Sequence, residues 1–196
     1  MQEQTWWNKN AETMYSTFKG WVGDDDAPSK LYAADYIFGQ NYNSVVDIGC
    51  GDATFYYSIK KKSEIIAYTG VDSCMFFVTM NNKRNIHTIN SDIRHIPVLP
   101  DSSVDICFSR HTFEHQPSFN IILSEMIRIG KKEACHIFFI KPDNTPESIK
   151  YSDELYHNKY SRIDIDAFLS NTKKVLKWNW INLNDKEVAL HVILVI

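Results

Sequence analysis

The segment VVDIGCGDATF, residues 45–55, holds the residue types best suited to cradle a ligand. Gly49 and Gly51 flank Cys50 at the point where an apolar strand gives way to a helical pattern. Glycine lets the backbone turn sharply and lets a ligand approach the main chain closely. Taken alone, such a loop is a moderate signal, a tight turn with no ligand being the alternative. Asp72 adds to it, because it stands 21 residues after Gly51, at the end of the next apolar run. An acid at that place can accept hydrogen bonds from both hydroxyls of a ribose. A dinucleotide fingerprint wants glycine or alanine at its sixth position, where this chain has Thr54. Asp47, two residues before Gly49, would repel a pyrophosphate and suits a cationic ligand.

A second group follows a later apolar run. His111, Glu114 and His115 lie in HTFEH, where either imidazole could take a proton near neutral pH. Glu114 and His115 could instead brace the helix that follows. On a helix, His111 and His115 would share a face, but no further ligand set stands at metal spacing, so no metal is expected. Cys50, Cys74, Cys107 and Cys135 form no C-x-x-C pair and read as free thiols of a reducing compartment, with Cys50 the one candidate for reactivity.

These residues need elements to position them. Trp7, Ala11, Met14, Tyr15 and Phe18 recur at helical spacing and Gly20 can stop that helix. Asp26 reads as the cap of a second helix, with Pro28 in its first turn and Gly39 at its end. Strands are expected over 45–48, 65–71, 86–89, 104–108 and 134–140, with helical segments between them, including an amphipathic one through Phe119 and Ile127 closed by Gly130. Residues 141–160 read as a long polar loop that could act as a lid. Ser161 and Asp164 resemble a capping box for a short helix. Strands over 175–182 and 187–195 complete an antiparallel hairpin. The sum is an α/β, Rossmann-like, seven-stranded, mostly parallel sheet with a C-terminal antiparallel hairpin and helices on both faces.

With these motifs in hand, the stretch from about Asn43 to Pro142 resembles the class I S-adenosylmethionine-dependent methyltransferases, in particular the methyltransferase type 11 group. DIGCGDA looks like that family's first motif and VDSC like its second strand end. NSDIRHIPVLPDSSVDICFSRHTFEH is similar to its Asp-x-x-x-x-Pro, Phe-Asp and Leu-Glu-His succession, and IKP to the Lys-Pro after strand five, without the usual Gly-Gly. The resemblance implies S-adenosyl-L-methionine as cofactor and S-adenosyl-L-homocysteine as product. It would place Asp47, Gly49, Cys50 and Gly51 at the methionine end and Asp72 with Ser73 at the ribose. Asp92 and Ile93 would lie at the adenine, and Ser109 with Arg110 near the methyl group. His111, His115 and Glu114 are the catalytic candidates. One domain is expected over 1–196, with 1–42 a helical lid region and 43–196 the cofactor-binding core.

Composition narrows the partners. A net charge of −3 lacks the basic excess of a general nucleic-acid binder, so nucleic acid is an unlikely partner. No apolar run reaches the 18 residues of a membrane span, and the N-terminus has no signal-peptide core. A cytoplasmic enzyme is expected. No Asn/Asp-Pro-Pro-Tyr/Phe motif follows strand four and no Pro-Cys nucleophile is present. A small-molecule methyl acceptor, methylated on oxygen or nitrogen, is therefore favoured. Methylation of RNA, protein or glycan, and a non-catalytic cofactor-binding protein of the same fold, are the alternatives.

Overall fold

The computed structural model describes residues 6–17, 27–152 and 155–195. They fall into two compact units, Met1–Ile93 and Arg94–Ile196.

The first unit begins with α1 (Trp6–Thr17) and α2 (Pro28–Gly39). Pro28 opens α2 after Ala27, where a missing N–H costs nothing. The expected stop at Gly20 and cap at Asp26 lie outside the described residues, as does Phe18. Three parallel strands follow: β1 (Ser44–Ile48), β2 (Ala67–Asp72) and β3 (Thr88–Asn90), linked by α3 (Phe55–Lys62) and α4 (Met75–Lys83). Trp7 packs on the cluster of Ala11, Cys74 and Phe77 together with Tyr15, Phe76 and Met80, so it serves as core.

The second unit holds β4 (Val104–Arg110), a 3-10 turn (Phe113–His115), α5 (Asn120–Ile129) and β5 (Gly130–Phe138). β4 and β5 pair in parallel. Ser161 caps α6 (Arg162–Ser170) by accepting from Asp164 N at 3.1 Å, as the capping box predicts. The chain ends in β8 (Val175–Asn182) and β9 (Val188–Leu194), which pair antiparallel, with β9 also antiparallel to β5. The seven-stranded sheet has the order β3-β2-β1-β4-β5-β9-β8.

The reading of 141–160 as a loop needs correction. It contains an antiparallel hairpin, β6 (Glu147–Ser152) and β7 (Leu155–Lys159). Residues 144–150 are exposed, so this hairpin has no continuous apolar face to betray it in the sequence. Three anchors hold it to the 3-10 turn. Asn158 Nδ2 donates to Gln116 O at 2.5 Å. Tyr160 Oη lies 2.7 Å from Phe113 O and 2.6 Å from Gln116 O. His115 Nδ1 meets Tyr156 O at 3.0 Å.

Candidate active site

In the first unit the glycine loop turns through left-handed backbone at Gly49 (φ 71°), Gly51 (φ 53°) and Ala53 (φ 54°). The N–H groups of Gly49, Cys50, Gly51 and Ala53 are spent inside the protein. Val71 O accepts from Gly49 N at 2.8 Å and from Cys50 N at 3.1 Å. Asp72 Oδ2 accepts from Gly51 N at 2.9 Å, and Cys50 O from Ala53 N at 2.9 Å. A pyrophosphate needs such N–H groups turned toward it. This loop instead presents a turn backed by acids.

Asp47 is buried and accepts from Tyr68 Oη at 2.7 Å. Burial pushes the Tyr68 hydroxyl well above its usual range, and the Asp47 carboxylate pushes it further, so it remains a donor. Asp72 accepts a second main-chain N–H, from Cys74 at 2.8 Å. Burial raises its carboxyl, while the Cys74, Gly51 and Ser73 amides oppose the rise. The carboxylate keeps a further lone pair for a ligand hydroxyl. Ser73 O accepts from Asn90 Nδ2 at 3.2 Å, fixing the turn after β2. Asp92 is partly exposed and Ile93 buried just beyond β3.

Two residues outside the sequence-based set shape this loop. Asn81, fully buried on α4, donates to Gly51 O at 2.8 Å. Gly70 leaves room for Cys50, since a Cβ there would stand 2.8 Å from Cys50 Sγ. Burial pushes the Cys50 thiol up, and Asp72, Asp47 and Asp52 add to the shift, so it is no thiolate nucleophile.

In the second unit Ser109 is fully buried on β4. His111 follows with φ 55°, a conformation that holds about 1–3 kcal/mol of strain in a non-glycine residue. Its main chain is fixed by a bond from His111 N to Ile137 O at 2.9 Å. Its Nε2 lies 2.7 Å from Glu187 Oε1, so the tautomer with Nε2–H leaves Nδ1 as acceptor. Glu187 also meets Arg110 Nη2 at 3.3 Å and accepts from Asn184 Nδ2 at 2.7 Å. Burial lowers the His111 imidazole, against the bond to Glu187, which raises it. Burial likewise lowers His115, whose Nδ1–H donates to the Tyr156 carbonyl. Both shifts favour the neutral imidazole. His111, His115 and His157 surround Phe139 at centroid distances of 5.1, 5.4 and 5.8 Å.

Glu114 turns away from this group. It is fully buried and accepts from Phe139 N at 2.6 Å and Ile140 N at 3.3 Å. His136 Nε2, also buried, lies 3.4 Å from Glu114 Oε2 without the alignment of a hydrogen bond. The sequence pointed to HTFEH as one group; the fold divides it. His111 and His115 gather at Phe139 while Glu114 secures the end of β5. Glu187, absent from the sequence reading, is 76 residues from His111, and only the hairpin brings the two together.

The model of the methyltransferase domain family matches residues 46–138. That segment is a methyltransferase domain, a little under half of the chain. No curated protein matches the sequence. Among solved structures, the methyltransferase fold recurs in 1,6-didemethyltoxoflavin-N1-methyltransferase of Burkholderia thailandensis, solved with 1,6-didemethyltoxoflavin and S-adenosylhomocysteine. Its TM-score is 0.70 at 9% identity, over 96% of this chain and 87% of that one. A SAM-dependent methyltransferase from Aquifex aeolicus is similar with a TM-score of 0.60 at 18% identity, over 86% of this chain and 99% of that one. Human N-acetylserotonin methyltransferase, in complex with SAM, has a TM-score of 0.64 at 10% identity, over 85% of this chain and 51% of that one. No described helix of the chain is long and apolar enough to cross a membrane.

Proposed function

We propose that the chain transfers a methyl group from S-adenosyl-L-methionine to an oxygen or nitrogen of a small-molecule acceptor, leaving S-adenosyl-L-homocysteine. The observation that carries this reading is the glycine loop, with the N–H groups of Gly49, Cys50 and Gly51 internally bonded and the buried Asp47 behind it. That electrostatic field disfavours a pyrophosphate and favours a ligand bearing ammonium and sulfonium charge. The residues fit such a cofactor. Asp47, Gly49, Cys50 and Gly51 would hold its methionine end, Asp72 and Ser73 its ribose, and Asp92 and Ile93 its adenine. Ser109, being fully buried, would act through its main chain.

The sulfonium supplies a methyl group already activated for in-line displacement. The protein then contributes mainly alignment, an effect of up to ~7–11 kcal/mol. Where the acceptor carries an acidic proton, His111 accepts it on Nδ1 while Glu187 holds Nε2–H and steadies the imidazolium, adding ~10²–10⁴-fold. His115 is the second base candidate. Glu114 is a positioning residue, through the β5 end and Phe139. The small-molecule acceptor is supported by the fold's kinship with the toxoflavin-precursor and N-acetylserotonin enzymes. The whole of 1–196 is read as one domain, with 1–42 as helical lid. The four free cysteines accord with a cytoplasmic location.

Calorimetric titration with S-adenosylmethionine, S-adenosylhomocysteine and NAD, on the wild type and on Asp72→Ala, tests the reading. Micromolar binding of both adenosyl ligands, lost in the variant and absent for NAD, is expected. Binding of NAD alone, or of none of the three, overturns it.

A further inference from the structure

β5 and β9 hold a polar cluster that methyl transfer does not use. Cys135 and His191 are register partners, and Glu133 lies two residues along β5 on the same face. All three are buried, at 0% for Glu133 and 2% for Cys135 and His191. Glu133 Oε1 lies 2.6 Å from His191 Nδ1, and Cys135 Sγ lies 3.9 Å from His191 Nε2. One donor atom from each residue falls within 4.8 Å of the others, the one such group among the described residues. A carboxylate, an imidazole and a thiol between interior strands are costly to bury unless something repays their desolvation.

We propose that Glu133, Cys135 and His191 form a structural site for a divalent ion of the zinc class. Thiol and imidazole donors select zinc-like ions over magnesium or calcium, which take oxygen. Zinc bonds of about 2.0–2.3 Å at tetrahedral angles set donor atoms roughly 3.3–3.6 Å apart. The Cys135–His191 separation is within a few tenths of an ångström of that span. Glu133 completes the set by moving one oxygen from Nδ1 to the ion, and water takes the fourth position. On binding, the Cys135 thiol and the Nε2 nitrogen of His191 each give a proton to solvent. The carboxylate and thiolate then cancel the two charges of the ion, so the buried site is neutral. Such an ion would tie β5 to β9, the one pairing that joins the parallel strands of this unit to the terminal hairpin.

The test uses Co²⁺ as a spectroscopic stand-in. The full-length protein is unfolded in guanidinium with chelator, freed of both, and refolded with Co²⁺, because the buried site loads as the strands close. One ion per chain is expected, with the visible bands of tetrahedral Co²⁺ and a thiolate charge-transfer band in the near ultraviolet, all displaced by Zn²⁺. Cys135→Ser should abolish the charge-transfer band and weaken binding by more than about 10²-fold, beyond the loss an outer partner causes. Glu133→Gln should weaken it by about 10-fold or more, and Cys107→Ser should leave it intact. A refolded wild-type protein without the thiolate band, or a band that persists in Cys135→Ser, overturns the proposal. The wild-type result decides even where a variant fails to fold, and it is independent of whether the methyl-transfer reading stands.

Discussion

Glu114→Ala separates a structural from a chemical role for the acid of HTFEH. In the wild type its carboxylate takes two main-chain N–H groups at the end of β5 and stands 3.4 Å from His136, with both side chains fully buried. Alanine strands those N–H groups and leaves His136 without its partner. Each group left unsatisfied costs about 1–3 kcal/mol, so the loss is about 3–5 kcal/mol in all. For a chain of this size each kcal/mol lowers Tm by about 2–4 °C, so a fall of roughly 6–20 °C is expected. Glu114→Gln keeps an acceptor for Phe139 N and should lose only about 1–3 kcal/mol. The pH dependence has a definite sign. Burial works to raise Glu114, but its pairing with His136 prevails and holds it below the usual carboxylate range. Its contribution is therefore present above the unfolded pKa and is lost as pH falls through the folded one. Burial lowers His136, so the folded protein keeps it neutral while the unfolded chain takes up a proton below about 6.5. Both groups weaken the fold on the acid side, and Glu114→Ala should flatten that limb. Guanidinium unfolding between pH 4 and 8 measures it. A Glu114→Ala protein within about 1 kcal/mol of wild type, with an unchanged acid limb, would refute the bracing role.

Further outcomes follow from the same geometry. Glu187→Gln removes the charge that raises His111, so the acid limb of the kcat profile for a hydroxyl acceptor should shift to lower pH and kcat should fall by up to about 10²-fold; an unchanged profile excludes His111 as the base. Asp72→Ala should weaken S-adenosylhomocysteine by about 10²-fold, as loss of charged hydrogen bonds to two hydroxyls would do, measured by calorimetry. Gly70→Ala drives a Cβ to 2.8 Å from Cys50 Sγ and should cost about 1–3 kcal/mol, recovered in large part by adding Cys50→Ala; denaturation of the double variant checks the coupling. Tyr160→Phe should cost about 1 kcal/mol and loosen the β6–β7 hairpin, read as faster amide exchange at Asn158.

The strands and the glycine loop were legible because their signals are local. Hydrophobic runs, glycines and an acid at fixed spacing sit within a few residues of one another around Asp47, Gly51 and Asp72. The β6–β7 hairpin escaped notice because its outward residues leave no alternation of buried and exposed side chains to detect. Glu187 was missed for a different reason: its place in a polar turn says nothing of His111. Cys135 and His191, 56 residues apart, lie inside apolar strands and meet only through the register of β5 with β9. Pairings that depend on strand register carry no mark in a linear pattern. HTFEH shows the converse, since its compact spelling hides a division of labour that burial alone reveals.

The anchoring of the β6–β7 hairpin has an evolutionary corollary. Its attachment is concentrated at the trailing end, in the Tyr156 carbonyl, the Asn158 amide and the Tyr160 hydroxyl. The leading strand, Glu147–Ser152, is exposed from 147 to 150 and shares no pairing with the seven-stranded sheet. Selection can therefore rewrite or resize that strand while the three anchors and the catalytic scaffold remain as they are. The hairpin is in this sense an exchangeable cassette, which a lineage could rewrite without relearning how to fold.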